Sequence, residues 1–157
     1  LEKHRRVQQG LAETRMTGNL RGKPAVFVNG RADAVLPANY AGRGYLALNK
    51  SVEPGSKLHY YEVTNAHHLD VLNGIGGFDG RYVPLNVYFT QALNLMWDHL
   101  RSGRPLPPSQ VVRTKPREVK DGKAVPIAAG NVPPIERTLG GGTVIGVGLD
   151  GSLRIPD

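Results

Sequence analysis

The feature that most restricts this chain is an alternation confined to residues 24–103: "PAVFVN", "ANYAGRGYLALNKS", "KLHYYEV" and "PLNVYFTQALNLMWDHLRSG". The first and third pieces are short, β-branched and aromatic, as strands are. Pro24 opens the first and Asn29-Gly30 closes it. The second and fourth carry helical spacing. Strand, helix, strand, helix is the signature of an α/β fold. Two strands cannot complete a sheet, so the rest are expected from a region upstream or from a partner.

The fourth piece is the strongest helix. Leu85, Phe89, Ala92, Leu93, Met96 and Leu100 recur at helical spacing, a stripe expected to pack on a core. Pro84 suits its first turn and Gly103 its C-terminal cap. Gly42 and Gly44 weaken the second piece as a helix. Residues 1–22 are polar, with apolar positions too sparse to predict one. A turn is expected at 53–56 and a glycine-rich loop at 73–82. Beyond residue 103 prolines accumulate and aromatic residues vanish. Asp121-Gly122 and Asp150-Gly151 suit two-residue hairpin turns, which need positive φ. The expected division is therefore strands and helices of a domain over 1–103, with 104–157 as a Pro/Gly-rich tail. That tail should be loops and hairpins wrapped over the same domain.

Composition excludes several functions. The net charge is +7, yet the densest basic sets, "KHRR" and "VVRTKPREVK", contain none of the ten aromatic residues. A solvated basic surface fits this better than a nucleic-acid site, which would offer bases a stacking platform. No apolar run approaches the ~18 residues of a membrane span. The absence of cysteine rules out disulfides, thiolate nucleophiles and cysteine metal sites. The start, "LEKHRRVQQG", begins with Leu and carries no apolar leader, so a mature form or a fragment is expected.

Chemistry points to the ends of the two strands, where α/β sheets gather functional groups. Asp33 follows the first strand; His67 and His68 follow the second. A hydrolytic triad needs such a pair: the carboxylate fixes the imidazole tautomer, and the imidazole takes the nucleophile's proton. Acid before histidine, each after a strand, is the order of the last part of an α/β-hydrolase. Asp33 could equally cap the next helix or close its own turn. A metal pair at His67-His68 is disfavoured, because adjacent histidines point apart and Asp70 and Asp79 lack zinc-motif spacing. None of the five serines lies in G-x-S-x-G, so a nucleophile is missing.

The long segments "NLRGKPAVFVNGRADAVLPANYAGRGYLALNK", "SKLHYYEVTNAHHLDV" and "RYVPLNVYFTQALNLMWDHLRSGRPLPPSQVVRT", with the ending "LRIPD", resemble the C-terminal part of the D-(-)-3-hydroxybutyrate oligomer hydrolases. The family's G-R-x-D-x-L-L-P falls on Asp33, with Val35 where Leu is usual. Its T-N-A-Q-H-F-D puts the histidine on His68, with His67 at the glutamine and Leu69 at the aromatic. The resemblance implies a fragment of a longer serine esterase that cleaves 3-hydroxybutyrate dimers and oligomers to monomer in polyhydroxybutyrate breakdown. Asp33 and His68 would be its acid and base, and the serine would lie upstream. No cofactor or metal is implied. The expected partners are the ester substrate and the upstream part of the same chain, with no nucleic acid and no membrane. A secreted or periplasmic location is implied over the cytoplasm. Phe78 and Tyr82, close to His68 in sequence, are expected to line the substrate pocket. The alternative is a non-catalytic interaction domain of hydrolase ancestry.

Overall fold

The structure is a computed structural model that describes residues 1–148 and 150–157. Its centre is a parallel sheet of three strands, β1 (Ala25–Gly30), β2 (Leu58–Val63) and β3 (Gln110–Val112), in that order. Helix α1 (Glu2–Thr14) precedes the sheet. Helix α2 (Gly42–Val52) links β1 to β2, and α3 (Asn86–Ser102) links β2 to β3. Val28 stands opposite Tyr61, and Val63 opposite Val112.

Alternation along the strands divides the core between the two faces. Val26, Val28, Tyr61, Val63 and Val112 meet Tyr88, Ala92 and Leu95 of α3, with Ile135 beneath. Ala25, Phe27, Leu58, Tyr60 and Val111 meet Leu46 and Tyr45 of α2, with Ile145 alongside. Both faces are covered, as parallel sheets require. Two hairpins complete the fold. Strands β4 (Val119–Lys120) and β5 (Lys123–Ala124) join through Asp121-Gly122, both at positive φ. Strands β6 (Gly146–Val147) and β7 (Leu153–Arg154) pair across a turn containing Gly151, also at positive φ.

Four expectations change. Within residues 1–22 the stretch Glu2–Thr14 does form a helix, α1, rich in good helix formers, but it buries no residue against the rest of the chain. The segment after residue 103 does not only wrap the core: β3 enters the sheet and buries Val111 and Val112. The side chain of Gln110 fastens that strand to the backbone of Glu136, donating from Nε2 to its carbonyl and accepting its N–H. The apolar stripe of α3 is split: Leu85 and Ala92 pack on the core and the rest does not. Tyr88 and Ala92 turn to the sheet, while Phe89, Leu93 and Leu100 are 53%, 54% and 64% exposed. The glycine-rich loop begins with a 3-10 turn, Asp70–Gly74.

Beside β1 lies an open apolar groove of about 330 Å³, lined by Val26, Val28, Phe89, Leu93 and Met96. The outer edge of β1 has no partner strand among the described residues.

Candidate active site

The ends of β1 and β2 are laced together by backbone. The N–H of Arg31 donates to the Val63 carbonyl at 2.8 Å and that of Ala32 to the Ala66 carbonyl at 3.0 Å. Asn65 takes positive φ, which Asn tolerates, and returns the chain across the end of β1. Its side chain donates to the Thr114 carbonyl, which fixes the turn to the segment after β3. The approach at Gly30 is so close that a Cβ there would stand 2.3 Å from the Ala66 carbonyl oxygen.

This lacing brings Asp33 and His68 into contact, 35 residues apart in sequence. His68 Nδ1 and Asp33 Oδ2 are 2.9 Å apart. Asp33 is 6% exposed, and its Oδ1 accepts the N–H groups of Val35 and Leu36, both at 2.8 Å. Burial pushes its carboxyl up; the hydrogen bonds from Leu36, His68 and Val35 more than reverse that and hold it below its ordinary value. An ionised Asp33 only accepts, so Nδ1 carries the proton and Nε2 is the basic nitrogen. Among the described residues Nε2 of His68 has no hydrogen-bond partner, and a third of the side chain is exposed, 33%.

Next to His68 is an apolar pocket of about 300 Å³, lined by Val28, Leu69, Leu85 and Phe89 with Asp70 and Asn86. Asp70 is committed elsewhere: its two oxygens accept the N–H groups of Leu85 and Asn86 at 2.7 Å each, holding the start of α3. His67 is turned away from this pocket. It is buried, contacts Asn73 Oδ1 through Nε2 at 2.8 Å, and stacks edge-on with Tyr82 and Phe78, centroids 4.6 and 5.9 Å away. Phe78 and Tyr82 therefore sit together on His67, and neither lines the pocket at His68.

Four serine hydroxyls are engaged with backbone groups. Ser51 and Ser102 donate to the carbonyls of Leu48 and Asp98. The hydroxyls of Ser56 and Ser109 accept the N–H groups of Leu58 and Tyr60. Among the described residues there is no group of three or more His, Asp or Glu side chains arranged to hold a metal. None of the described helices is long and apolar enough to cross a membrane.

One cluster was not anticipated. Glu62, the penultimate residue of the apolar strand β2, is fully buried. Its Oε1 accepts from Arg31 Nε at 2.5 Å and Arg43 Nη2 at 2.6 Å; its Oε2 accepts from Arg43 Nε at 2.7 Å and the Tyr60 hydroxyl at 3.0 Å. The only sequence signal is a charged residue inside a β-forming run; its arginine partners lie 31 and 19 residues away.

The model of the 3HB-oligomer hydrolase family matches residues 2–157. A D-(-)-3-hydroxybutyrate oligomer hydrolase of Paracidovorax citrulli is 49% identical over 98% of this chain and 22% of its own length. Those of Ralstonia pickettii and Azoarcus sp. are 51% and 47% identical over 94% and 98% of this chain. The chain spans about a fifth of the length of the curated relatives it matches. No solved structure matches. With a family match that runs almost from end to end and relatives at about half identity, the chain belongs to the 3HB-oligomer hydrolase family.

Proposed function

We propose that this chain supplies the acid and the base of a serine ester hydrolase that cleaves 3-hydroxybutyrate oligomers. The carrying observation is the Asp33–His68 contact at the ends of two adjacent parallel strands. The parallel sheet and the order of acid before histidine support an α/β-hydrolase architecture. The nucleophilic serine and the oxyanion donors belong to the remaining four-fifths of the protein.

In this reading Nε2 of His68 takes the proton of that serine as its oxygen attacks the ester carbonyl. The imidazolium so formed is stabilised by Asp33. His68 then protonates the leaving alkoxide and, in the second half-reaction, draws the proton from water as it attacks the acyl-enzyme. Asp33 suits the role because its other oxygen is fixed by two backbone amides and cannot swing away. The apolar pocket beside His68 suits the methyl and methylene groups of a hydroxybutyryl unit. Phe78 and Tyr82 pack on His67, one residue before His68, so any contact they make with substrate lies outside the pocket at His68. An unchanged KM for the dimer in Phe78→Ala and Tyr82→Ala would end that assignment.

The test is hydrolysis of 3-hydroxybutyrate dimer by the intact protein. His68→Ala should lower kcat by several orders of magnitude, as removal of a triad member does, and His67→Ala should not. Equal and small losses in both would refute the reading.

A further inference from the structure

Glu62 invites the question of why a carboxylate is buried at the end of a central strand. Its four acceptor positions are all filled, by donors from three separate segments: the turn after β1, helix α2 and β2 itself. Arg31, two residues before Asp33, is one of those donors. It also donates from Nη2 to the Pro156 carbonyl at 2.7 Å. The Asp33 turn is thus gripped twice. Backbone bonds to Val63 and Ala66 hold it to the end of β2. The Arg31 side chain ties it to Glu62 on the α2 side of the sheet and to the segment after β7.

We propose that Arg31 and Glu62 are positioning residues for the Asp33–His68 pair, a buried clamp that sets where the Asp33 carboxylate meets the imidazole. The inference rests on the proposed function of that pair. Arg31 does not touch Asp33; it acts by fixing the backbone from which Asp33 projects. Arg43 holds the far side of Glu62 and also reaches Asn39 Oδ1, so the loop between β1 and α2 is fixed at both ends. An ordinary surface ion pair would not need this: Glu62 has no contact with solvent, and Arg31 and Arg43 are 26% and 22% exposed.

The experiment is a double-mutant cycle in the intact protein: Arg31→Gln, Asp33→Asn and the pair, with Arg31→Lys as the milder change. Arg31→Gln should lower kcat on the dimer about 10- to 100-fold with KM little changed, the scale of a misplaced catalytic group. In the Asp33→Asn background the same Arg31 change should add almost nothing. Arg31→Lys, which keeps the charge but loses the fork, should show the same kcat loss to a smaller extent.

Full additivity with Asp33→Asn, or loss of thermal stability with kcat unchanged, would overturn the clamp and leave Glu62 a structural residue only. If Arg31→Gln does not fold, Arg31→Lys decides by the same criteria. If Asp33→Asn alone retains full activity, the role of Asp33 itself is refuted, and the clamp falls with it for a separately visible reason.

Discussion

Gly30→Ala isolates the close approach that assembles the site. The new Cβ would stand 2.3 Å from the Ala66 carbonyl oxygen, 2.7 Å from its carbon and 3.1 Å from the His67 nitrogen. All three are backbone atoms in a hydrogen-bonded turn, so no side chain can swing aside. To restore ordinary van der Waals contact, one strand end retreats by about 1 Å. Asp33 lies three residues beyond Gly30 and His68 two beyond Ala66. The same retreat therefore stretches a 2.9 Å hydrogen bond towards 4 Å, which is no bond. Overpacking of this kind costs about 1–3 kcal/mol. Misplacement of a catalytic pair by about 1 Å costs on the order of 100-fold in rate. Urea denaturation and dimer hydrolysis should both be measured on the intact protein, beside Gly55→Ala, whose Cβ meets nothing within 4 Å. Gly30→Ala should lose on both counts and Gly55→Ala on neither. Equal behaviour of the two would refute the close-approach reasoning.

Three further outcomes are expected. Asp33 is held below its ordinary pKa, so its stabilising charge is fully present above its unfolded value, near pH ~4, and is lost as pH falls through the lower folded value. Below about pH 4 the urea midpoint of the wild type should therefore fall more steeply than that of Asp33→Asn; parallel curves would refute the assignment. Tyr88→Phe removes the hydroxyl that donates to the half-buried Pro133 carbonyl at 2.9 Å and should cost about 1 kcal/mol, read as a shift in urea midpoint. Made alone, the 157 residues should self-associate, because β1 offers an open edge beside exposed Phe89, Leu93 and Leu100. Sedimentation showing a monomer at high concentration would count against that.

The parts legible in the sequence share a physical reason. β1 and β2 are runs of residues whose identity alone favours a strand, and Asp33 and His68 each stand a few positions past such a run. Their meeting follows from two parallel strands side by side. β3 was hidden because only "QVV" pairs, between Pro107-Pro108 and Pro116, too short for alternation to register. In α3 the spacing identified a helix but not its inward side. Apolar residues occupy two neighbouring rows, and the row of Tyr88 and Ala92 won the sheet because Tyr88 also reaches the Pro133 carbonyl. α1 was illegible for a different reason: its apolar residues, Val7 and Leu11, are exposed, so burial left no pattern to read. Glu62 was missed because a charge inside a strand says nothing of its partners until Arg31 and Arg43 are folded onto it.

The Asp33–His68 contact closes within residues 25–68. On the proposed function, the two halves of the chemistry are therefore divisible along the chain. If the segment carrying the nucleophile and this segment were produced as separate polypeptides, ester cleavage would return only on their reassociation. Turnover in such a mixture would then serve as a complementation signal, reporting how well an open sheet edge finds its neighbour.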